Sequence, residues 1–109
     1  MENFKNISPV RVEKTTIINL EKGKLPPQVL ELEEAVLGAM MIDKKGVDEV
    51  IDILQPDAFY KEAHRHIFEA IVQLFTDTQP IDLLTVSAQL KRNAKLDLAG
   101  GDFYLIQLT

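Results

Sequence analysis

Apolar residues recur with helical spacing along most of the chain, beginning at Gln28. In the first predicted helix the apolar stripe consists of Val29, Leu32, Val36 and Met40, widened by Leu30, Leu37 and Met41. Glu31, Glu33 and Glu34 avoid this stripe and lie in the first turns, where the helix dipole favours negative charge. Gly38 lies inside the helix and costs roughly 1 kcal/mol relative to alanine, so we expect another helix to approach closely there.

Three further amphipathic segments follow. A short helix is defined by Val47, Val50, Ile51 and Leu54 and ends at Gln55-Pro56. A longer helix near Glu62 to Phe75 has an apolar face made of His64, Ile67, Phe68, Ile71, Val72 and Phe75. Asp82 is suited to cap a fourth helix, which has Leu83, Val86 and Leu90 on its buried face.

Gly100-Gly101 then interrupts the chain before a last apolar segment that contains Phe103, Tyr104, Ile106 and Leu108. No stretch alternates with the period of two that is typical of strands. The sequence therefore predicts an all-α fold, a compact bundle of about five or six short helices.

The first 25 residues differ from the rest of the chain. They show no sustained period, and Pro26-Pro27 marks the start of the folded domain. Thr15 to Leu20 has the composition of a short strand, but a lone strand has no partner in this context. We predict a flexible leader over 1–25 and a helical domain over 26–109. The apolar periodicity that stops at Thr109 suggests a longer parent polypeptide.

Composition restricts the function classes. The 109 residues suffice for one domain with a modest core, and 46% apolar residues argue against wholesale disorder. The absence of cysteine excludes a disulfide framework, a thiolate metal site and a cysteine nucleophile. No apolar run approaches the roughly 18 residues that span a bilayer, so we predict no membrane partner.

Charge is distributed unevenly around a formal net charge of −5. Residues 1–25 contain five Lys/Arg against three Asp/Glu, whereas residues 26–109 contain seven against fourteen. An acidic body lacks the clustered Lys/Arg that a DNA clamp needs. Lys91, Arg92 and Lys95 form a small basic cluster at a predicted helix C-terminus, where the helix dipole favours cations anyway.

The two histidines are the first candidates for chemistry. His64 and His66 lie two residues apart on a predicted helix, so their side chains point about 200° from each other and cannot share a metal ion. We expect His64, on the apolar face, to be buried and hydrogen-bonded. We expect His66 to face solvent.

Motifs for catalysis are absent from the sequence. It contains neither the P-loop pattern G-x-x-x-x-G-K-[ST] nor the G-x-S-x-G pattern of a serine nucleophile. The sequence therefore predicts no catalytic, cofactor-binding or metal-binding residue. One alternative is an enzyme that uses Glu31 or Glu33 with His64, and a His64 buried away from both glutamates would exclude it.

Four motifs occur in an order and spacing that point to one family. The first runs from Leu25-Pro26-Pro27-Gln28 into Glu31 to Ala39. The second joins Asp57 to Tyr60 with Ala63-His64-Arg65 and Ile67 to Ile71, the third is Pro80 to Val86, and the fourth is Gly100-Gly101 followed by Tyr104-Leu105. Together they resemble the N-terminal domain of bacterial replicative DNA helicases, the DnaB family, over residues 25–109. Residues 1–24 do not take part in the resemblance.

This resemblance implies a compact helical head, with the family's C-terminal helical hairpin and RecA-like ATPase motor absent from this chain. It implies a non-catalytic assembly and primase-docking domain of a hexameric, ATP-dependent helicase that unwinds duplex DNA at the replication fork. ATP and magnesium would belong to the parent motor. The implied partners are other copies in an N-terminal collar, the C-terminal domain of primase and a helicase loader, with single-stranded DNA contacted only through the assembled parent. The implied location is the cytoplasm, at the replisome.

Tyr104 is the one interface candidate, because the resemblance places it near the primase-facing region. The alternative is a core tyrosine whose hydroxyl lies at the surface. Two other functions stay open: a stand-alone helical adaptor, and the related helicase-binding domain of primase. The Pro26-Pro27 entry and the first helix with its Gly38 favour the helicase side.

Overall fold

Five α-helices and one 3₁₀ turn make up the regular structure of residues 27–109, which are the residues that the computed structural model describes. The helices are α1 (Pro27–Ile42), α2 (Lys44–Val50), α3 (Glu62–Thr76), α4 (Leu83–Arg92) and α5 (Gly101–Leu108), with the 3₁₀ turn Pro56–Ala58 before α3. These residues contain no strand, so the all-α prediction is confirmed. The predicted leader, with its strand-like Thr15 to Leu20, lies outside the described residues.

The third helix lies at the centre of the core. Its residues Ile67, Phe68 and Ile71 are inaccessible to solvent, and α1, α4 and the 3₁₀ turn all pack against it. The other helices each contribute large side chains to the same cluster, namely Leu37 and Met40 from α1, Val47 from α2, Val86 and Leu90 from α4, and Leu105 from α5. The predicted face of the α3 segment is therefore largely the observed one.

Local hydrogen bonds explain where two helices begin. Asp82 accepts a bond from the Thr85 backbone N–H, and Thr85 Oγ1 accepts one from the Asp82 N–H, both at 2.9 Å. This reciprocal capping box confirms the predicted cap of α4. Asp43 accepts a bond from the Lys45 N–H at 2.9 Å, so α2 begins at Lys44 with only Asp43 between it and the end of α1. The second helix ends at Val50, earlier than the apolar pattern to Leu54 predicted.

Gly38 permits the close helix approach that the sequence predicted. A Cβ atom at this position would collide with the backbone carbonyl oxygen of Leu108, at the end of α5. The missing side chain therefore lets the C-terminal helix rest directly on α1. The loss in helix propensity is offset by this contact, which α1 and α5 share.

The structure corrects four placements. Leu32 is 66% exposed and Phe75 is 41% exposed, although both were predicted on buried faces. Glu33 is only 8% exposed, although it was predicted to avoid the buried face of the first helix. His66 was predicted to face solvent, yet its side chain is only 14% exposed and its ring lies between Glu62 and Glu69 of the adjacent turns. The spacing of apolar residues did not identify the buried face of the first helix, because apolar residues occur on both of its sides.

None of the helices in residues 27–109 is long and apolar enough to cross a membrane.

Candidate functional site

A buried polar network connects three of the five helices through His64. The His64 side chain is inaccessible to solvent. Its Nδ1 lies 2.7 Å from Oε1 of Glu33 on α1, and its Nε2 lies 2.6 Å from the hydroxyl of Tyr104 on α5. The prediction of a buried, hydrogen-bonded His64 is therefore confirmed. Both hydrogen-bond partners of His64 are distant from it in the sequence, by 31 and 40 residues.

Glu33 also fixes the segment that leads into α3. Its Oε2 accepts a hydrogen bond from the Tyr60 N–H at 2.5 Å, and its Oε1 accepts one from the Lys61 N–H at 3.4 Å. Lys61, the residue before α3, has no side-chain cap of its own. Because a helix N-terminus favours negative charge, the Glu33 carboxylate of α1 stabilises the N-terminus of α3 in place of a local capping side chain.

Tyr104 connects the last helix to this network. Its hydroxyl lies 3.2 Å from Oε2 of Glu34 and accepts a hydrogen bond from the Lys61 ammonium over 3.3 Å. The rings of Tyr104 and His64 are stacked with centroids 5.9 Å apart, and the Lys61 Nζ lies 4.6 Å from the Tyr104 ring centroid. The hydroxyl is therefore hydrogen-bonded at a half-buried position, with the buried His64 on one side and the half-buried Glu34 and Lys61 on the other. A role of Tyr104 in an interface stays a prediction.

The proton positions in the network follow from the available donors and acceptors. A carboxylate only accepts, so Nδ1 of His64 carries the hydrogen that is shared with Glu33. The Tyr104 hydroxyl has a single hydrogen, which is directed to either His64 Nε2 or Glu34 Oε2. Burial first, and then the negative charges of Glu34 and Glu33, raise the pKa of Tyr104 well above its ordinary value. The phenol consequently keeps its proton throughout the physiological range.

This arrangement joins α1, α3 and α5 by hydrogen bonds through His64. Both ring nitrogens of His64 are engaged, and Glu33 already accepts from Tyr60, Lys61 and His64. The enzyme alternative named Glu31 or Glu33 with His64, and the structure joins only Glu33 to His64, because the exposed Glu31 is not part of the network. His64 is therefore not buried away from both glutamates, and the condition that would exclude this alternative is not met. The His64 side chain is inaccessible to solvent, so its ring is closed to a substrate in this structure.

Alkaline pH is expected to weaken the contribution of Tyr104 to stability. In the unfolded chain tyrosine ionises near pH 10, whereas in the folded protein the raised pKa keeps Tyr104 protonated. The unfolded state therefore binds fewer protons above about pH 10, and the free energy of unfolding falls as the pH rises. We expect this fall to be shallower in Tyr104→Phe than in the wild type, measured by urea unfolding at several pH values between 9 and 11.

Tyr60→Phe is the matched control for this titration, because Tyr60 is 51% exposed. Its stability should follow the wild-type pH dependence. Parallel curves for the wild type and Tyr104→Phe would contradict the assignment of the raised pKa to this hydroxyl.

The sequence pointed to His64 and Tyr104 and paired Glu33 with His64 only in the enzyme alternative, while it missed Glu34 and Lys61 and the structural role of Glu33. One signal was available, because Glu33 is four residues before Leu37 and seven before Met40, both of which are buried. That spacing places Glu33 on the core face. A histidine on an apolar face needs a polar partner, and an acid on another core face is the natural one.

We also looked for metal-binding clusters and for clefts among the described residues. Within residues 27–109 no group of three or more His, Asp or Glu side chains is arranged to hold a metal ion. A cleft of about 640 Å³ lies between α2 and the loop after α3, and its lining includes Val47, Phe75 and Ile81. It contains no cluster of titratable groups comparable to the His64 network, and it explains why Phe75 is partly exposed.

Exposed apolar side chains lie beside the network on α5. Phe103 is 72% exposed and Ile106 is 53% exposed, and Leu98, shortly before this helix, is 51% exposed. Ser87 of α4 donates a hydrogen bond to Asp102 at 2.5 Å, which helps to fix the start of α5. The helix is thus attached to the rest of the domain through Asp102, Tyr104 and Leu105, while Phe103 and Ile106 face outward.

The fold and the network define a small all-α domain in which α5 is joined to the first and third helices by a buried Glu–His–Tyr connection. The profile of the DnaB-like helicase N terminal domain family matches residues 25–109. This chain belongs to that family.

The relatives support the same assignment. The chain is 46% identical over 92 residues to the replicative DNA helicase DnaB of Rhodothermus marinus, covering 84% of this chain and 10% of that protein. It is 40% identical over 85 residues to the replicative DNA helicase DnaB of Geobacillus stearothermophilus, covering 78% of this chain and 19% of that protein. The chain thus spans between a tenth and a fifth of these relatives.

A solved structure shares the fold. The crystal structure of the N-terminal domain of DnaB helicase from Mycobacterium tuberculosis superposes with a TM-score of 0.70 at 38% sequence identity. The match covers 72% of this chain and 57% of that chain. The helical head predicted from the four motifs is therefore confirmed.

Proposed function

We propose that this chain is the N-terminal assembly and primase-docking domain of a hexameric replicative DNA helicase. The match of residues 25–109 to the family carries the proposal. In this proposal ATP and magnesium act in a motor outside the chain, and single-stranded DNA is contacted only by the assembled protein. In this proposal the domain itself positions partner proteins, and it does so in the replisome in the cytoplasm.

The surface supports a binding role. Phe103 and Ile106 project from α5 into solvent, next to the interface candidate Tyr104. Large exposed apolar side chains that lie together are typical of protein contact sites. We assign the docking of the helical C-terminal domain of primase to this face of α5. A helicase loader is a second class of partner.

Binding to the cognate primase C-terminal domain tests the docking role. Isothermal titration calorimetry should show micromolar affinity for the wild-type chain and about tenfold weaker binding for Phe103→Ser, which corresponds to roughly 1.4 kcal/mol. Leu84→Ser is the matched control, because Leu84 is 79% exposed on α4. Absence of binding by the wild type at high micromolar concentration would contradict primase docking, as would equal losses in both variants.

Two alternatives from the sequence lead to different observations. The relatives named above are replicative helicases, which favours the helicase over the helicase-binding domain of primase. A stand-alone adaptor would be encoded by a gene that ends near Thr109. The intact mass of the native gene product decides this point, since a helicase continues for several hundred residues and contains the P-loop pattern.

A further inference from the structure

The cleft between α2 and the loop after α3 has an apolar interior and charged edges. Of its apolar lining residues, Val47 is buried, Ile81 is partly buried and Phe75 is 41% exposed. Its two charged lining residues, Lys44 and Asp48, are both exposed. A volume of about 640 Å³ lies in the range of ligand-binding pockets, so the cleft has room for several side chains. This arrangement suits an apolar peptide segment that is flanked by charged residues.

The loop on one side of the cleft is held in a fixed and strained shape. The N–H of Gln79 donates to the Leu74 carbonyl over 2.8 Å, and the N–H of Thr78 donates to the Phe75 carbonyl over 3.0 Å. These two bonds form a Schellman motif, which closes the end of α3. Thr78 consequently has a φ of 56°, in the left-handed region that a β-branched residue rarely adopts. Strained residues are concentrated at binding sites, and Thr78 lines this cleft.

Residues 15–20 of the chain have the composition that this cleft requires. They form the longest uncharged stretch within residues 1–25 and contain Ile17, Ile18 and Leu20. Large apolar side chains are stabilised when they are removed from water. The strand-like composition of this stretch also needs a partner, and the sequence pattern alone did not identify one. The apolar cleft provides a surface of matching chemistry within the same chain.

The charges around this stretch and around the cleft are of opposite sign. Residues 14–24 contain three lysines against one glutamate. Residues 43–52, which include α2, contain four Asp/Glu against two lysines. Asp48 lines the cleft, and the exposed Asp77 directly precedes the lining residue Thr78. Complementary charges of this kind favour the contact and fix its position.

The connection from residues 15–20 to the first helix is long enough to reach the cleft. Helix α1 begins at Pro27 and contains 16 residues, so it is about 24 Å long. Because α2 begins at Lys44, just after α1 ends, the cleft lies near the far end of α1. Ile17 is ten residues before Pro27 and can lie up to about 33 Å from it. A segment tethered in this way has an effective concentration on the order of millimolar, so a weak contact suffices.

We propose that residues 15–20 of this chain bind in the cleft between α2 and the loop after α3. In this intramolecular contact Ile17 and Ile18 pack against Phe75 and Ile81, and the lysines of residues 14–24 lie near Asp48. The contact removes the exposed part of the Phe75 ring from water. It does not depend on the docking role of the domain, because the cleft is separate from the α5 face that we assign to primase.

Paramagnetic relaxation measured by NMR tests the contact in the complete chain. The chain contains no cysteine, so Glu13→Cys carries the only nitroxide label. We expect the label to broaden the amide signals of residues 44–48 and 75–81, with the reduced label as reference. The amides of residues 57–61, at the opposite end of α3, should keep their intensity. A leader that does not bind the cleft leaves the signals of residues 75–81 unchanged.

Substitutions within residues 1–25 test whether the apolar side chains make the contact. In the labelled chain, Ile17→Ser combined with Ile18→Ser should abolish the broadening at residues 75–81, because two apolar side chains no longer enter the cleft. Ile7→Ser combined with Val10→Ser is the matched control, since it removes two apolar side chains outside residues 15–20. The control should keep the broadening of the unsubstituted chain.

A charge reversal at the edge of the cleft tests the electrostatic part of the contact. Asp48→Lys should reduce the broadening at residues 75–81, because a lysine at this position repels the lysines of residues 14–24. Asp97→Lys is the matched control, because Asp97 is exposed and does not line the cleft. Its broadening should equal that of the unsubstituted labelled chain.

Three outcomes would overturn the proposal. The first is an absence of broadening at residues 75–81 in the labelled chain. The second is equal broadening with and without the serines at positions 17 and 18. The third concerns a mixture of isotope-labelled chain with nitroxide-labelled chain, because broadening there would assign the contact to the leader of another molecule. Primase binding is measured separately by calorimetry, so failure of this contact and failure of the docking role are distinguishable.

Discussion

Replacing Phe68 with alanine is expected to lower the free energy of unfolding by about 3–5 kcal/mol, the range for truncation of a fully buried aromatic residue. Phe68 is inaccessible to solvent at the centre of α3, and its ring centroid lies 5.1 Å from that of Phe59. Alanine would remove both the buried apolar area and this aromatic contact, and the rigid helices around it cannot close the cavity completely. Urea unfolding followed by circular dichroism measures the loss, since the chain has no tryptophan.

Phe75 provides the matched control on the same helix. The sequence placed both phenylalanines on one apolar face, but Phe75 is 41% exposed and lines the cleft beside α2. Phe75→Ala should therefore cost much less than Phe68→Ala. If Phe68→Ala does not fold, Phe68→Leu keeps the comparison measurable, because the cavity it leaves is smaller. Equal losses at both positions, or a loss under about 1 kcal/mol for Phe68→Ala, would show that the core is not centred on Phe68.

Removal of the Glu33 carboxylate should lower the free energy of unfolding by an amount similar to that for Phe68→Ala. In Glu33→Ala the Tyr60 N–H and the His64 Nδ1 lose their acceptor inside the domain. A buried donor without a partner costs about 1–3 kcal/mol, so we expect the free energy of unfolding to fall by about 3 kcal/mol. The connection of α1 to α3 and, through His64, to α5 would be lost together. Amide hydrogen exchange should show the largest local change in α5, which is short and depends on these contacts.

Glu31→Ala is the control for this variant, because Glu31 lies two residues away on the same helix but is exposed. Its effect should stay within about 0.5 kcal/mol, as is usual for surface substitutions. A Glu33→Ala variant as stable as Glu31→Ala would mean that the His64 network contributes little to the fold. In that case the buried glutamate would need another explanation.

Helix α1 helps to hold α5, the helix whose outward face we assign to primase, because it provides Glu33 and Glu34. Tyr104 and Leu105 attach α5 to the rest of the domain. Variants of Glu33 should therefore weaken primase binding through loss of order in α5.

Local chemistry in the sequence determined the helices, their breaks and the family. The Asp82 cap, the Gly100-Gly101 break and the apolar face around Phe68 depend on neighbours within a few residues, which a sequence pattern records directly. Even the close approach at Gly38 was predictable, because a glycine inside a helix needs a compensating contact. The four ordered motifs were enough to identify the helical head.

Only the tertiary structure decided which sides of the helices are buried and which polar groups meet. Helix α1 is apolar on two sides, so its periodicity alone could not separate the core side, which contains Glu33, from the exposed side, which contains Leu32. The contacts of His64 with Glu33 and Tyr104 join residues 31 and 40 positions apart. Such partners are set by how α1, α3 and α5 pack, and the preferences of a single helix carry no information about that packing.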